Sequence, residues 1–318
     1  MVFRRHVFLQ IIHILGMILH LLVIAVAAAG PLLCIPLNAK QLNRKESLER
    51  NAHWTLGTTL SRHANIALII GSVFGLIVAG IIWNDDLHDR CHVLKSRFVY
   101  AGIEWVFSCV LLLITHQWWS KRPDGLKSFL FRSLLIVLAT TNLLYHFPII
   151  FMLVREIPDT VVVDLASSGA ELSRQQFYEY AFSGSMLARW GHIVVSMLMI
   201  SFGYLAMISL RFARDATGAA RETAVRIVRW TARNMLILLF AQIGLGLMAL
   251  MTMKNSQSVM GGDVIVTALF GGAMCLLLLQ IQQWTVLLSR KIDPRAVARA
   301  VTTLIALFSC MTAVSILS

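Results

Sequence analysis

Eight apolar runs of membrane-spanning length recur along the chain, near 7–34, 60–83, 97–118, 129–154, 186–210, 234–253, 263–288 and 297–317. Each is near or above the ~20 residues that a helix needs to cross ~30 Å of hydrocarbon. Strands of a membrane β-barrel are shorter and alternate in polarity, and these runs do neither. Composition agrees: 58% of residues are hydrophobic and 14% charged, against about 25% charged in a soluble domain. So few charges cannot cover that much apolar surface in water, whereas lipid solvates it. The expected fold is all-α: a polytopic transmembrane helix bundle of about eight spans, forming one domain over 1–318. No internal repeat is evident in the residues, so an inverted-repeat transporter architecture finds no support.

The first run needs a separate argument. Arg4 and Arg5 precede it, and it ends in Val26-Ala27-Ala28-Ala29-Gly30, which resembles a signal-peptide cleavage region. The apolar stretch is long for that role and contains His13 and His20, so it is assigned as a span.

Lys and Arg set the orientation. With eight spans, loops 37–62, 119–132, 211–233 and 290–299 share one side and carry 19 of the 28 Lys and Arg. The positive-inside rule places them in the cytoplasm, with both termini outside a cell (inner) membrane. The formal net charge of +12 then reflects topology and attraction to anionic membrane lipids, with no role in nucleic-acid binding. Segment 214–233 reads as a basic extension of the adjacent spans. Loop 155–185 is acidic and predicts a short helix near Ser173–Tyr180. Gly71 and Gly75 form a GxxxG motif that predicts a close helix crossing. Gln280, Gln282, Gln283 and Trp284 cluster near one end of span 7, where such residues serve helix packing or face a quinone.

Ionisable side chains inside spans are costly and mark function. Here most are histidines. At 1.5 Å per residue, His13, Glu104, His146 and His192 fall roughly 10 Å below the outer surface. His20 lies about 10 Å deeper by the same rise, and His63 and His116 fall near the cytoplasmic face. Haem b is held by neutral imidazoles on facing helices. An outer haem would use two of His13, His20, His146 and His192, and an inner haem would use His63 and His116. Arg189 or Arg62 would meet the propionates, and Glu104 would accept a proton from a quinol.

The same residues suggest a second chemistry. Three imidazoles and one carboxylate at one depth, His13, His146, His192 and Glu104, with His20 as a further ligand, suit direct binding of a transition metal, as in a metal transporter or sensor. Loop 84–92 adds His88, Cys91 and His92 on the same side. It lacks the first cysteine of a covalent haem motif, because His88 stands there, and a solvated polar turn is its plain alternative. A non-catalytic scaffold within a larger complex is the third possibility. No P-loop, GxSxG or HExxH motif is present.

On His13, His20, His63, His116, His146 and His192, the chain resembles polytopic b-type cytochromes. The resemblance covers spans 1–5 and implies one or two haem b groups, exchange with quinone, and further subunits of a respiratory or redox complex. The cytochrome b pattern has two histidines about fourteen residues apart on each of two helices. Here only His6 and His20 have that spacing.

Overall fold

A computed structural model describes residues 2–42, 47–121, 125–252, 256–289 and 292–317, with side chains left undescribed for 2–7, 41–42, 47–50 and 258. Arg4, Arg5, His6, Arg44, Lys45, Arg50, Arg122, Arg290 and Lys291, counted above for charge or spacing, therefore lie outside the described side chains. No strand occurs among the described residues. The helices are α1 (Val2–Leu42), α2 (Ser47–Ile82), α3 (Asp85–Val93), α4 (Lys95–Ser120), α5 (Leu126–Glu156), α6 (Asp159–Ser168), α7 (Arg174–Ala181), α8 (Gly184–Asp215), α9 (Gly218–Thr252), α10 (Val264–Ser289) and α11 (Pro294–Leu317). Eight of them, α1, α2, α4, α5 and α8 to α11, are long and apolar enough to span a membrane. Large apolar residues such as Leu76, Ile103, Phe240 and Leu278 are exposed on their outer faces, a surface that lipid covers and water would not. The chain is thus a multi-pass membrane protein.

α1 is central. It packs on α2, α5, α8 and α11, and Ala25 through Pro31 are buried along it. The small residues resembling a cleavage region are core residues, and they let α8 approach until Ser201 donates to the Ala25 carbonyl at 2.9 Å. The predicted GxxxG crossing is present. Gly71 sits against the Ile24 backbone, and Gly75 against the His20 ring, of α1.

Two helices begin well before their predicted spans. α2 starts at Ser47 and α9 at Gly218. Their polar first turns still carry a buried stripe: Leu56 and Leu60 on one, Ile227 and Val228 on the other. That stripe holds the helix together where hydropathy alone would end it. Within segment 214–233, Arg214 and Asp215 end α8 and the part from Gly218 onward is the root of α9.

The absence of a repeat is corrected by the structure. Along α2, Ala52, His53, Leu56, Gly57, Leu60, Ser61, Ala64, Leu68 and Val78 are buried. A shift of 171 residues turns these into Thr223, Ala224, Ile227, Val228, Thr231, Ala232, Met235, Leu239 and Ala249 of α9, and all of them are buried. A shift of 172 carries Ala25, Ala27, Ala28, Ala29, Leu33, Cys34 and Leu37 of α1 onto Met197, Met199, Ile200, Ser201, Leu205, Ala206 and Ser209 of α8, again all buried. A shift of 165 carries Ala101, Ser108, Leu112, Thr115 and Trp119 of α4 onto Val266, Ala273, Leu277, Gln280 and Trp284 of α10, with the same result.

Packing follows the same rule. α1 packs on α2 as α8 does on α9, α4 on α5 as α10 does on α11, and α1 on α5 as α8 does on α11. The molecule is two four-span units, α1 to α5 and α8 to α11, meeting along α1 and α8. Four spans per unit give both units the same orientation, so they form a parallel repeat.

The side bearing the ends of α2, α5 and α11 also holds α3, α6 and α7. Val93, Leu94, Ile157, Val162, Leu172 and Ala181 make a separate small core there. The predicted short helix is α7. Ser173 caps it, accepting from the Gln176 N–H, while Gln176 accepts from the Ser173 N–H, a reciprocal capping box.

Candidate functional site

The histidines are dealt out one by one to different helix pairs. His20 on α1 places Nδ1 2.7 Å from the Gly71 carbonyl of α2. Its ring lies on Gly75, where an added Cβ would come within 2.8 Å of Cε1. His146 on α5 hydrogen-bonds through Nδ1 to the Glu104 carboxylate of α4. His63 on α2 meets the Tyr204 hydroxyl of α8 through Nδ1 at 2.7 Å. In all three, Nδ1 faces an oxygen, and no described group bonds Nε2. A carbonyl or carboxylate on Nδ1 keeps the proton there and leaves the Nε2 lone pair free, the arrangement in which imidazoles bind metals.

His192 differs. It is the counterpart of His20 in the second unit and also lies on a glycine, Gly246 of α9. At the position equivalent to Gly71 stands Gln242. Its amide nitrogen is 3.0 Å from His192 Nε2 and 2.6 Å from Ser196 Oγ. Nε2 is therefore occupied, and Nδ1 is buried without a partner. The two units thus hold their central imidazoles in opposite senses.

The grouping expected from depth is not found. His13, His20, His146 and His192 do not meet, and among the described residues no three His, Cys, Asp or Glu side chains gather as a metal-ion site. His13 lies within the electrostatic reach of Arg155. Depth along a helix fixes a level and leaves direction open, and here the directions diverge. His63 and His116 both feel Arg62. His63 turns to Tyr204, however, and His116 keeps a buried Nδ1 without a hydrogen-bond partner.

Arg189 is committed to Glu156, and its Nε donates to the Ser185 carbonyl at 3.3 Å. It ties α8 to the end of α5. Arg62 faces a cleft between α2 and α8.

Loop 84–92 is the helix α3. Asn84 caps it by accepting from the Leu87 N–H at 2.8 Å, acids occupy its first turn, and Arg90 and His92 its last. These are favourable ends for a helix dipole. Arg90 pairs with Asp86 and Asp159 and donates to the Val154 and Ile157 carbonyls. The His88 ring lies edge-on to Trp83, and Cys91 is a free, half-buried thiol. The segment braces the cap. The glutamine cluster is likewise packing: Gln280 donates to the Ala300 carbonyl at 2.7 Å and accepts from Trp284 Nε1 at 2.6 Å.

The Nδ1 tethers were not legible in the sequence, because two of the three partners, the Gly71 carbonyl and Tyr204, carry no signal there. Glu104 was singled out, though without its link to His146. No family model matches the chain, and no curated protein matches it with significance.

Proposed function

We propose that this protein is a membrane electron-transfer subunit that binds haem b through His20 and exchanges electrons with a quinol or an extracytoplasmic redox partner. One observation carries the proposal: the candidate imidazoles stand singly, and His20 has Nδ1 tethered to the Gly71 carbonyl with Nε2 open. A zinc or copper site needs three or four protein donors at one point. Haem brings four nitrogens of its own and needs only one or two axial imidazoles. A histidine that stands alone with its proton held on Nδ1 by a carbonyl, as His20 does, suits haem and does not suit a bare ion.

Bound haem would supply a one-electron iron couple. The chain would do the rest. The Gly71 carbonyl orients His20, and Gly75 leaves room for its ring against α2. The His146 and Glu104 side chains are 36% and 26% exposed on a lipid-facing side. A lipid-soluble quinol has access to them there, and the imidazole–carboxylate pair is suited to take its proton. In this reading the basic loops lie in the cytoplasm and both termini outside.

Reduced-minus-oxidised absorbance of the purified chain tests the reading. A Soret band is expected in the wild type, lost in His20→Ala, and kept in Glu104→Gln with slower reduction by quinol. Absence of extractable haem from the wild type overturns it.

A further inference from the structure

On the basic side a cavity of about 780 Å3 opens between α2 and α8. Arg62 and His63 line it from α2, and Tyr204, Arg211, Arg214 and Asp215 from α8. Met207, Ile208 and Phe212 make an apolar wall. None of the three guanidinium groups forms an ion pair or hydrogen bond among the described residues, and Asp215 is the one acid in the lining. Like charges around one cavity repel, and beside lipid their hydration is incomplete. An anion between them relieves both costs through charge-assisted hydrogen bonds.

The repeat provides an internal control. The counterpart of Thr59, which lines the cavity, is Trp230. The counterparts of Tyr204 and Arg211 are Leu32 and Ala39. Trp230 packs on Phe202 with ring centroids 5.3 Å apart, and Lys40 Nζ lies 5.0 Å from the Trp230 ring centre. Side chains thus occupy the equivalent place, between α9 and α1. Arg62 has an arginine counterpart, Arg233, whereas His63, Tyr204 and Arg211 are matched by Asn234, Leu32 and Ala39.

We propose that this cavity holds the phosphate headgroup of an anionic phospholipid, with Arg62, Arg211 and Arg214 around the phosphate. Its level in the membrane favours lipid over a soluble phosphate. α8 is apolar from Ile193 through Leu210, apart from three serines and Tyr204, and turns basic at Arg211. That is where a helix leaves hydrocarbon for the headgroup layer. Met207 and Ile208, one turn earlier, offer the acyl chains an apolar wall. The proposal does not depend on haem.

Native mass spectrometry of the full chain, after exposure in mild detergent to equal amounts of phosphatidylglycerol and phosphatidylcholine, tests it. The wild type is expected to retain the anionic lipid with a preference of about tenfold or more. Thr59→Trp, which copies Trp230, and the double variant Arg211→Gln/Arg214→Gln are each expected to remove most of that preference while melting like wild type in detergent alone. The double variant changes two exposed side chains and carries the test if Thr59→Trp fails to fold. Excess inorganic phosphate is expected to leave the lipid in place. Equal retention of both lipids by the wild type, an undiminished preference in the folded double variant, or displacement of the lipid by phosphate overturns the proposal.

Discussion

Trp119 and Trp284 hold the same position in two four-helix units, and neither has any accessible surface. They differ in one hydrogen bond, and the Arg132 guanidinium lies over the Trp119 ring, 5.2 Å from its centre. Trp284 donates from Nε1 to the Gln280 side chain at 2.6 Å, whereas Trp119 Nε1 is buried without a partner. Replacement by phenylalanine leaves a similar void at both sites but costs more at the second. Trp284→Phe also strands the Gln280 oxygen, an added loss of about 1–3 kcal/mol. Denaturant or thermal unfolding in detergent is expected to rank Trp284→Phe as the less stable variant. Equal stability of the two contradicts this.

The glycines under the two central imidazoles give a second comparison. A Cβ on Gly75 would lie 2.8 Å from His20 Cε1, and one on Gly246 would lie 3.1 Å from His192 Cε1. His20 is also fixed through Nδ1 to the Gly71 carbonyl and has little room to yield. Gly75→Ala is therefore expected to cost about 1–3 kcal/mol, as overpacking does, and Gly246→Ala less. The same unfolding measurement decides, and the reverse order counts against it.

Acid should loosen the cap. Glu171 accepts from the N–H and hydroxyl of Ser96 at the start of α4. Those bonds hold its carboxyl below the ordinary value of 4.5, with Lys95 helping. A depressed carboxylate stabilises the folded state above the ordinary value, and that contribution is lost as pH falls through the folded value. Hydrogen exchange around 169–172 is expected to speed up, beyond its intrinsic pH trend, as pH drops below about 4.5. Glu171→Gln should exchange faster at neutral pH and lose this dependence.

Arg90 locks α3 to the ends of α5 and α6. Arg90→Lys cannot reproduce a fork that serves two carboxylates and two carbonyls, and Arg90→Ala removes it outright. The neighbouring Cys91 reports the outcome, because burial pushes its thiol above the usual range. Alkylation of Cys91 near pH 8 is expected to be slow in the wild type and several-fold faster in Arg90→Ala. An unchanged rate shows that Arg90 does not hold the cap closed.

Much of the architecture was legible in the residues. All eight spans, the Gly71–Gly75 crossing and the short helix after Ser173 could be read, because length, hydropathy and capping are local properties. The repeat could not. It preserves which positions are buried while changing what fills them, as Thr115 against Gln280 or Ser61 against Ala232 shows. Its identities, among them His20 with His192, Gly75 with Gly246 and Trp119 with Trp284, sit at shifts of 172, 171 and 165. Loops of unequal length spoil any fixed period. The histidine layers were visible as depths, but their azimuths are set by helix packing, which composition does not encode. Hence His146 was seen and Glu104 was seen, and their bond was not.

An even number of crossings per unit has a consequence for how such a chain arises and inserts. A second copy joined end to end re-enters the membrane in the orientation of the first, so doubling the gene demands no reversal of topology. Two identical copies assembled side by side would be bound to carry identical grooves. Joined in one polypeptide they are free to differ: Trp230 packs on Phe202 in one groove, and Thr59 lines an open cavity in the other.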